Sequence, residues 1–149
     1  MRGRISRNEK NLRGILHKAI ILRRYNKFGN RKITNAVYGK FDSKLEYETF
    51  LYLLALQQNK KISNLARQVA IDLTPKKDKH KVKYVCDFTY IDKERGLIIA
   101  DSKGMLTPEY KVKREWLLHQ YNGFVFVEFY KDFVKEYEPI GDIEIIFKK

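Results

Sequence analysis

Cysteine is almost missing from this chain, with Cys86 the single example among 149 residues. No internal disulfide can form, and the thiol lies in an apolar run suited to a buried, reduced side chain. The three histidines, His17, His80 and His119, are far apart in sequence and lack metal-ligand spacing, which argues against a zinc site. No apolar stretch approaches the roughly 18 residues of a membrane span, and no secretory apolar segment precedes a small-residue cleavage site. The expectation is therefore a soluble, intracellular protein. Internal repeats and low-complexity tracts are also lacking, and the length suits one domain with a real core.

Acid is scarce at one end only. Residues 1–40 hold 12 Lys/Arg against the lone Glu9, whereas residues 41–149 hold 19 against 17. Of the formal charge of +13, the N-terminal segment thus carries +11. Such a charge calls for a polyanionic partner, nucleic acid ahead of an anionic membrane surface, with a merely solvated basic surface as the bland alternative. Within the segment, Leu12, Ile15, Leu16, Ala19 and Ile20 fall on one helical face, with Arg13, Lys18, Arg23 and Arg24 largely elsewhere. An amphipathic basic helix that docks on the body or on a second subunit and offers cations to phosphates is one reading. A membrane-surface helix or organellar transit peptide is the other.

Residues 26–40 mix Gly and Asn with short apolar runs and predict a hinge followed by an extended arm. Beyond it, Ser43 and Glu46 have the spacing of a capping box, opening a long helix that is apolar nearly all round from Phe50 to Leu56. Val69, Ile71 and Leu73 alternate along a strand that ends at Pro75. Residues 82–91 and 97–103 predict a hairpin joined by the five residues 92–96. Thr107 and Pro108 suit the cap and first position of a second helix, residues 123–130 read as a buried strand, and residues 143–148 as a further one.

The hairpin carries the chemistry. With Ile91 opposite Leu97, counting back brings Asp87 opposite Asp101, and strict alternation puts both carboxylates and Lys103 on one face. Like charges about 5 Å apart destabilise a sheet. A hard divalent cation relieves that repulsion, because Mg²⁺ is typically held by one or two carboxylates together with water and phosphate oxygens. Lys103 beside such a site suits phosphodiester hydrolysis, where negative charge grows on the phosphoryl group. A surface acid pair with Lys103 as its salt-bridge partner explains the spacing nearly as well.

The order of the blocks adds to this. The segments "FDSKLEYETFLYLL", "YVCDFTYI" and "IIADSKGMLTPEYKVKREWL", spanning about residues 38–130, resemble the PD-(D/E)XK nuclease superfamily, and within it small phage-encoded endonucleases related to Holliday-junction resolvases. The resemblance implies a restriction-endonuclease-like α/β core of helix, three-stranded mostly antiparallel meander, helix and strand. It also implies a nuclease domain over 38–149 behind a basic arm over 1–37. By position, Asp87, Asp101 and the backbone carbonyl of Ser102 would ligate Mg²⁺, with Mn²⁺ as substitute, and Lys103 would be the catalytic lysine. Glu46 matches the helical acid that assists the metal, although helix capping explains it equally well, and Glu48 is the alternative. Cys86 stands where the superfamily name has proline. Gln68, opposite in face to Val69 and Ile71, is a candidate for the same site. Lys76, Lys77, Lys79, Lys81 and Lys83 before the hairpin, and Lys111, Lys113 and Arg114 after it, would grip phosphates. Paired cuts in branched DNA imply a homodimer. A site-specific homing or nicking enzyme and a non-catalytic nucleic-acid-binding protein remain open beside this reading.

Overall fold

The computed structural model describes residues 32–74 and 77–145. The basic helix expected near the N-terminus, with Arg13, Lys18, Arg23 and Arg24, and Lys76 of the lysine loop lie outside these residues.

Among the described residues nine strands and two helices follow one another along the chain. Strands β1 (Ile33–Asn35) and β2 (Gly39–Phe41) form an antiparallel hairpin. Helix α1 (Lys44–Gln58) follows, then β3 (Ile62–Asp72), β4 (Lys83–Asp92) and β5 (Gly96–Ser102). Helix α2 (Pro108–Gln120) leads into β6 (Tyr121–Asn122), β7 (Val125–Phe129), β8 (Val134–Tyr137) and β9 (Ile143–Glu144). The main sheet has the order β3-β4-β5-β7-β8, antiparallel throughout except for the β5–β7 pair. A parallel pair needs a crossover, and α2 supplies it. The architecture is mixed α/β with a mostly antiparallel sheet, as expected from the sequence, and no helix among the described residues is long and apolar enough to cross a membrane.

Local chemistry fixes the element ends. Ser43 caps α1, its Oγ accepting from the Glu46 N–H at 3.0 Å. The reciprocal half of the box is displaced by one residue, since Glu46 Oε2 accepts from the N–H of Asp42 at 2.7 Å instead of from Ser43. At the other end Lys60 adopts φ 59°, its N–H donating to Gln57 O while that of Lys61 donates to Leu56 O. These two bonds make a Schellman motif with lysine in the place glycine usually holds. Thr107 caps α2 by accepting from the Tyr110 N–H at 3.2 Å, ahead of Pro108. In the tight β4–β5 turn Gly96 takes φ 79°, and Ile91 pairs with Leu97 as the sequence predicts.

Each face of the sheet carries one helix. On the α1 face Phe50 and Leu53 pack with Phe41, Phe88, Tyr90, Ile98, Ala100 and Val127. On the α2 face Leu117 and Leu118 pack with Leu73, Tyr84, Cys86, Ile99 and Phe126. Burial pushes the Cys86 thiol up to about 12, and it donates to the Val69 carbonyl, so this cysteine is an inert core group.

Three sequence expectations about the elements need correction. Residues 33–40, read as part of an extended arm, form with Phe41 a hairpin whose Ile33 and Phe41 pack into the α1-side core. The expected division between 37 and 38 falls inside its turn. Strand β8, four residues of low hydrophobicity at the sheet edge, has no counterpart in the sequence reading. The C-terminal strand is limited to Ile143–Glu144 among the described residues and pairs with β6 away from the main sheet.

Candidate active site

A further correction reaches the site itself. Along β5 the alternation is strict, with Ile98 and Ala100 on the α1 face and Ile99 on the α2 face. Along β4 it reverses, because Tyr84 and Cys86 face α2 whereas Phe88 and Tyr90 face α1. Strand β3 reverses at the same level. Leu65 packs on the α1 face and Arg67 stacks on Phe41, but Val69, Ile71 and Leu73 turn to α2. The residues at the crossover are Gln68 and Asp87. Gln68 has φ 52°, a left-handed conformation uncommon outside glycine. A local departure of this sort shifts side chains between faces without ending the pairing.

As a result Asp87 and Asp101 are neighbours that look in different directions. The β4–β5 register ends at Phe88 opposite Ala100. At the next position the Asp87 N–H donates to Asp101 Oδ1 at 2.8 Å. Asp87 Oδ2 accepts from the Ser102 N–H at 2.9 Å and its hydroxyl at 3.0 Å, while Oδ1 accepts from Gln68 Nε2 at 3.3 Å. That same amide nitrogen donates to Glu46 Oε1 at 2.8 Å. Gln68 therefore bridges two acids from different elements, a place strained backbone commonly serves. The Asp101 carboxylate instead takes the Tyr84 hydroxyl on the α2 side. The expected common face for Asp87 and Asp101 is not observed; the reversal at Gln68 and Asp87 is the reason.

Burial sets the electrostatics. Asp101 is 1% exposed, and desolvation lifts its carboxyl to about 6, against the pull of Lys103 and the Asp87 N–H. Glu46, 2% exposed, is also raised, first by burial and further by the charge of Asp87, while the Asp42 N–H, Gln68 and Arg67 oppose the shift. Arg67 lies 3.7 Å from Glu46 Oε1 and donates to the carbonyls of Tyr38 and Lys40, tying the β1–β2 hairpin to the site. Glu48, the alternative to Glu46, pairs with Lys44 at 3.6 Å on the helix surface instead.

Behind Asp101 lies a group that the sequence reading passed over. Glu128 on β7 sits opposite Asp101 in the parallel ladder and is fully buried. It accepts from the Tyr110 hydroxyl at 2.6 Å, Arg114 Nη1 at 3.1 Å and the Tyr130 hydroxyl at 3.2 Å. Burial alone would raise Glu128, but bonds from Tyr110, Tyr137 and Arg114 outweigh it and hold the carboxyl below its usual range. A lone acid inside "GFVFVEFY" is the signal that could have found it, since a charge in an apolar strand needs a partner. The same network corrects the reading of Arg114. Its side chain is 12% exposed and committed to Glu128 and to the rings of Tyr110 and Tyr137, so it is a core ion-pair partner and not a phosphate contact.

Lys103 stays with Asp101. Its ammonium lies 4.0 Å from the centre of the Tyr110 ring, and its charge acts on Asp101. Of the other cations read as a phosphate grip, Lys77, Lys79, Lys81, Lys83 and Lys111 are exposed. Lys83 pairs with Asp72 at 3.9 Å and Lys113 with Glu109 at 3.2 Å.

As donors, Glu46, Asp87 and Asp101 are all oxygen ligands, the chemistry suited to a hard divalent ion. Among the described residues no three acidic, His or Cys side chains form a group that could hold one ion together. Asp87 and Asp101 are adjacent oxygen donors linked by the Asp87 N–H, with carboxylates turned to opposite sides of the sheet, and Glu46 adjoins Asp87 through Gln68.

The fold and site define a small mixed α/β protein in which the buried acids Glu46, Asp101 and Glu128 and the half-buried Asp87 lie in or against its central strands. The chain belongs to the DUF1064 family, described as a protein of unknown function, whose model matches residues 25–135. No curated protein matches it. A solved structure titled "Crystal structure of SSO0001" is similar at 15% identity over 91% of this chain and 79% of that chain, with a TM-score of 0.30. A likeness of that size carries no argument.

Proposed function

We propose that this protein is a metal-dependent nuclease of the PD-(D/E)XK type, hydrolysing phosphodiester bonds in DNA, with branched DNA such as four-way junctions as substrate and a homodimer as the working form. The observation that carries the reading is the adjacency of Asp87, in the middle of β4, to Asp101 near the end of β5, the Asp87 N–H donating to the Asp101 carboxylate at 2.8 Å, with Lys103 beside Asp101. Glu46 and Gln68 adjoin Asp87 from the other side. The helix, antiparallel meander, crossover helix and parallel strand agree with a restriction-endonuclease-like core.

Asp87 and Asp101 would hold Mg²⁺, and the ion would supply charge neutralisation at the phosphate and a water of lowered pKa. The protein's own part is then positional. Buried Asp101 is held by Tyr84 and the Asp87 N–H, and Asp87 by Ser102, so neither carboxylate swings freely. Lys103 contributes a fixed positive charge where negative charge develops on the phosphoryl oxygens. The exposed lysines of the β3–β4 loop and Lys111 would bind the backbone without reading sequence.

Purified protein with Mg²⁺ or Mn²⁺ is expected to cleave a four-way junction faster than flap, single-strand or linear duplex. Asp101→Asn and Lys103→Ala are expected to lower the rate by about 100-fold or more while leaving DNA binding intact. Wild-type cleavage rates in Asp101→Asn protein would remove the catalytic assignment.

A further inference from the structure

Lysine carries its charge on a flexible four-carbon stem, so a lysine that works at a reaction centre has to be held. Lys103 is held at both ends. Its N–H donates to the Phe129 carbonyl at 2.9 Å, which ties its backbone to β7. Its ammonium rests 4.0 Å from the centre of the Tyr110 ring. The ring is itself anchored, because the Tyr110 hydroxyl donates to the fully buried Glu128 at 2.6 Å and Glu128 is fixed by Arg114. Glu128 stands opposite Asp101 in the β5–β7 ladder. One pair of strands thus sets both the acid of the site and the anchor of the ring beside it.

We infer that Tyr110 is a positioning residue whose ring face seats the Lys103 ammonium next to Asp101, with the Glu128–Arg114 pair holding the ring from behind. The inference rests on the reading of Lys103 as the reacting cation. A cation within about 6 Å of a ring centre is attracted by the ring quadrupole. Seating the ammonium before substrate arrives removes rotamer freedom that would otherwise be lost in the reaction. The ring supplies the seat and the hydroxyl only the anchor, so phenylalanine keeps the first and loses the second. Leucine at this position fills much of the space but presents no π face.

The test uses full-length protein with ¹³C-labelled lysine, the Lys103 ε-methylene signal being assigned by its loss in Lys103→Arg protein. Wild-type protein should show that signal shifted upfield by the ring, Tyr110→Phe should retain the shift, and Tyr110→Leu should lose it. In junction cleavage, Tyr110→Leu should lower kcat by about 10- to 100-fold with KM little changed, because only the placement of a reacting group is lost. Tyr110→Phe should recover most of the wild-type kcat. Cleaving wild-type protein beside a Tyr110→Leu variant of unchanged kcat, or a leucine variant that keeps the upfield shift, overturns the inference alone. A wild-type protein that cleaves none of the substrates sinks the nuclease reading, and the positioning role with it. A Tyr110→Phe variant as poor as leucine, with its upfield shift intact, overturns the ring as the seat.

Discussion

Two buried acids lie side by side in the sheet and have opposite fates. Glu128 is met by a guanidinium and hydroxyls and is held below the usual carboxylate range. Asp101, met by hydroxyl and amide donors, is pushed up to about 6. The sign for stability follows from linkage. A raised folded value means that native protein takes up a proton between about pH 6 and the ordinary value of 3.8 while unfolded chain does not. In chelated protein the Asp101 contribution to stability therefore increases as pH falls from 7 to 5. The Glu128 contribution is present above its ordinary value of 4.5 and is lost only below it, outside that window. Urea midpoints at pH 7 and pH 5 are expected to rise toward the lower pH in wild-type protein, the raised carboxyl of Glu46 acting in the same sense, and to rise less in Asp101→Asn. Parallel midpoints in the two proteins would show that Asp101 is not charged at a cost in the native state.

At the scale of elements, two of the three left-handed non-glycine residues among those described differ in purpose. Lys60 closes α1 in a position that usually belongs to glycine, and its side chain is exposed. Left-handed backbone costs an L-residue roughly 1–2 kcal/mol, so Lys60→Gly is expected to stabilise the protein by about 1 kcal/mol, read from chemical denaturation. Gln68 takes nearly the same backbone angle but joins Glu46 to Asp87. Its strain sits where β3 and β4 exchange faces, and that exchange turns Asp87 toward α1. A destabilised Lys60→Gly protein would mean that the lysine side chain, and not the backbone, secures the helix end.

For the whole molecule, charge is divided between the parts. Residues 1–31 hold ten Lys/Arg against one acid, and residues 32–149 hold 21 against 17. If the protein binds DNA as proposed, its electrostatic grip would come mainly from the N-terminal cations. Neutralising Arg23 and Arg24 together is expected to reduce the slope of log affinity against log salt by close to 2 on duplex DNA, roughly 0.9 for each phosphate that is no longer neutralised. Measured by fluorescence anisotropy across a salt series, an unchanged slope would remove these two residues from the interface.

The sequence by itself determined the elements with strong local signals. Ser43 and Thr107 open helices because their hydroxyls satisfy free N–H groups, and the turn at Gly96 set the β4–β5 register. That register was enough to bring Asp87 next to Asp101. Weak local signals hid the rest: the β1–β2 hairpin is three residues a side, and β8 gains its structure from the edge of β7 and not from its own apolar pattern. Only the tertiary structure decided which way Asp87 turns, because period-2 alternation cannot foresee one residue of left-handed backbone on the neighbouring strand. It alone also decided the role of Arg114, since a cation on a helix shows its purpose only when a distant strand brings Glu128 beneath it.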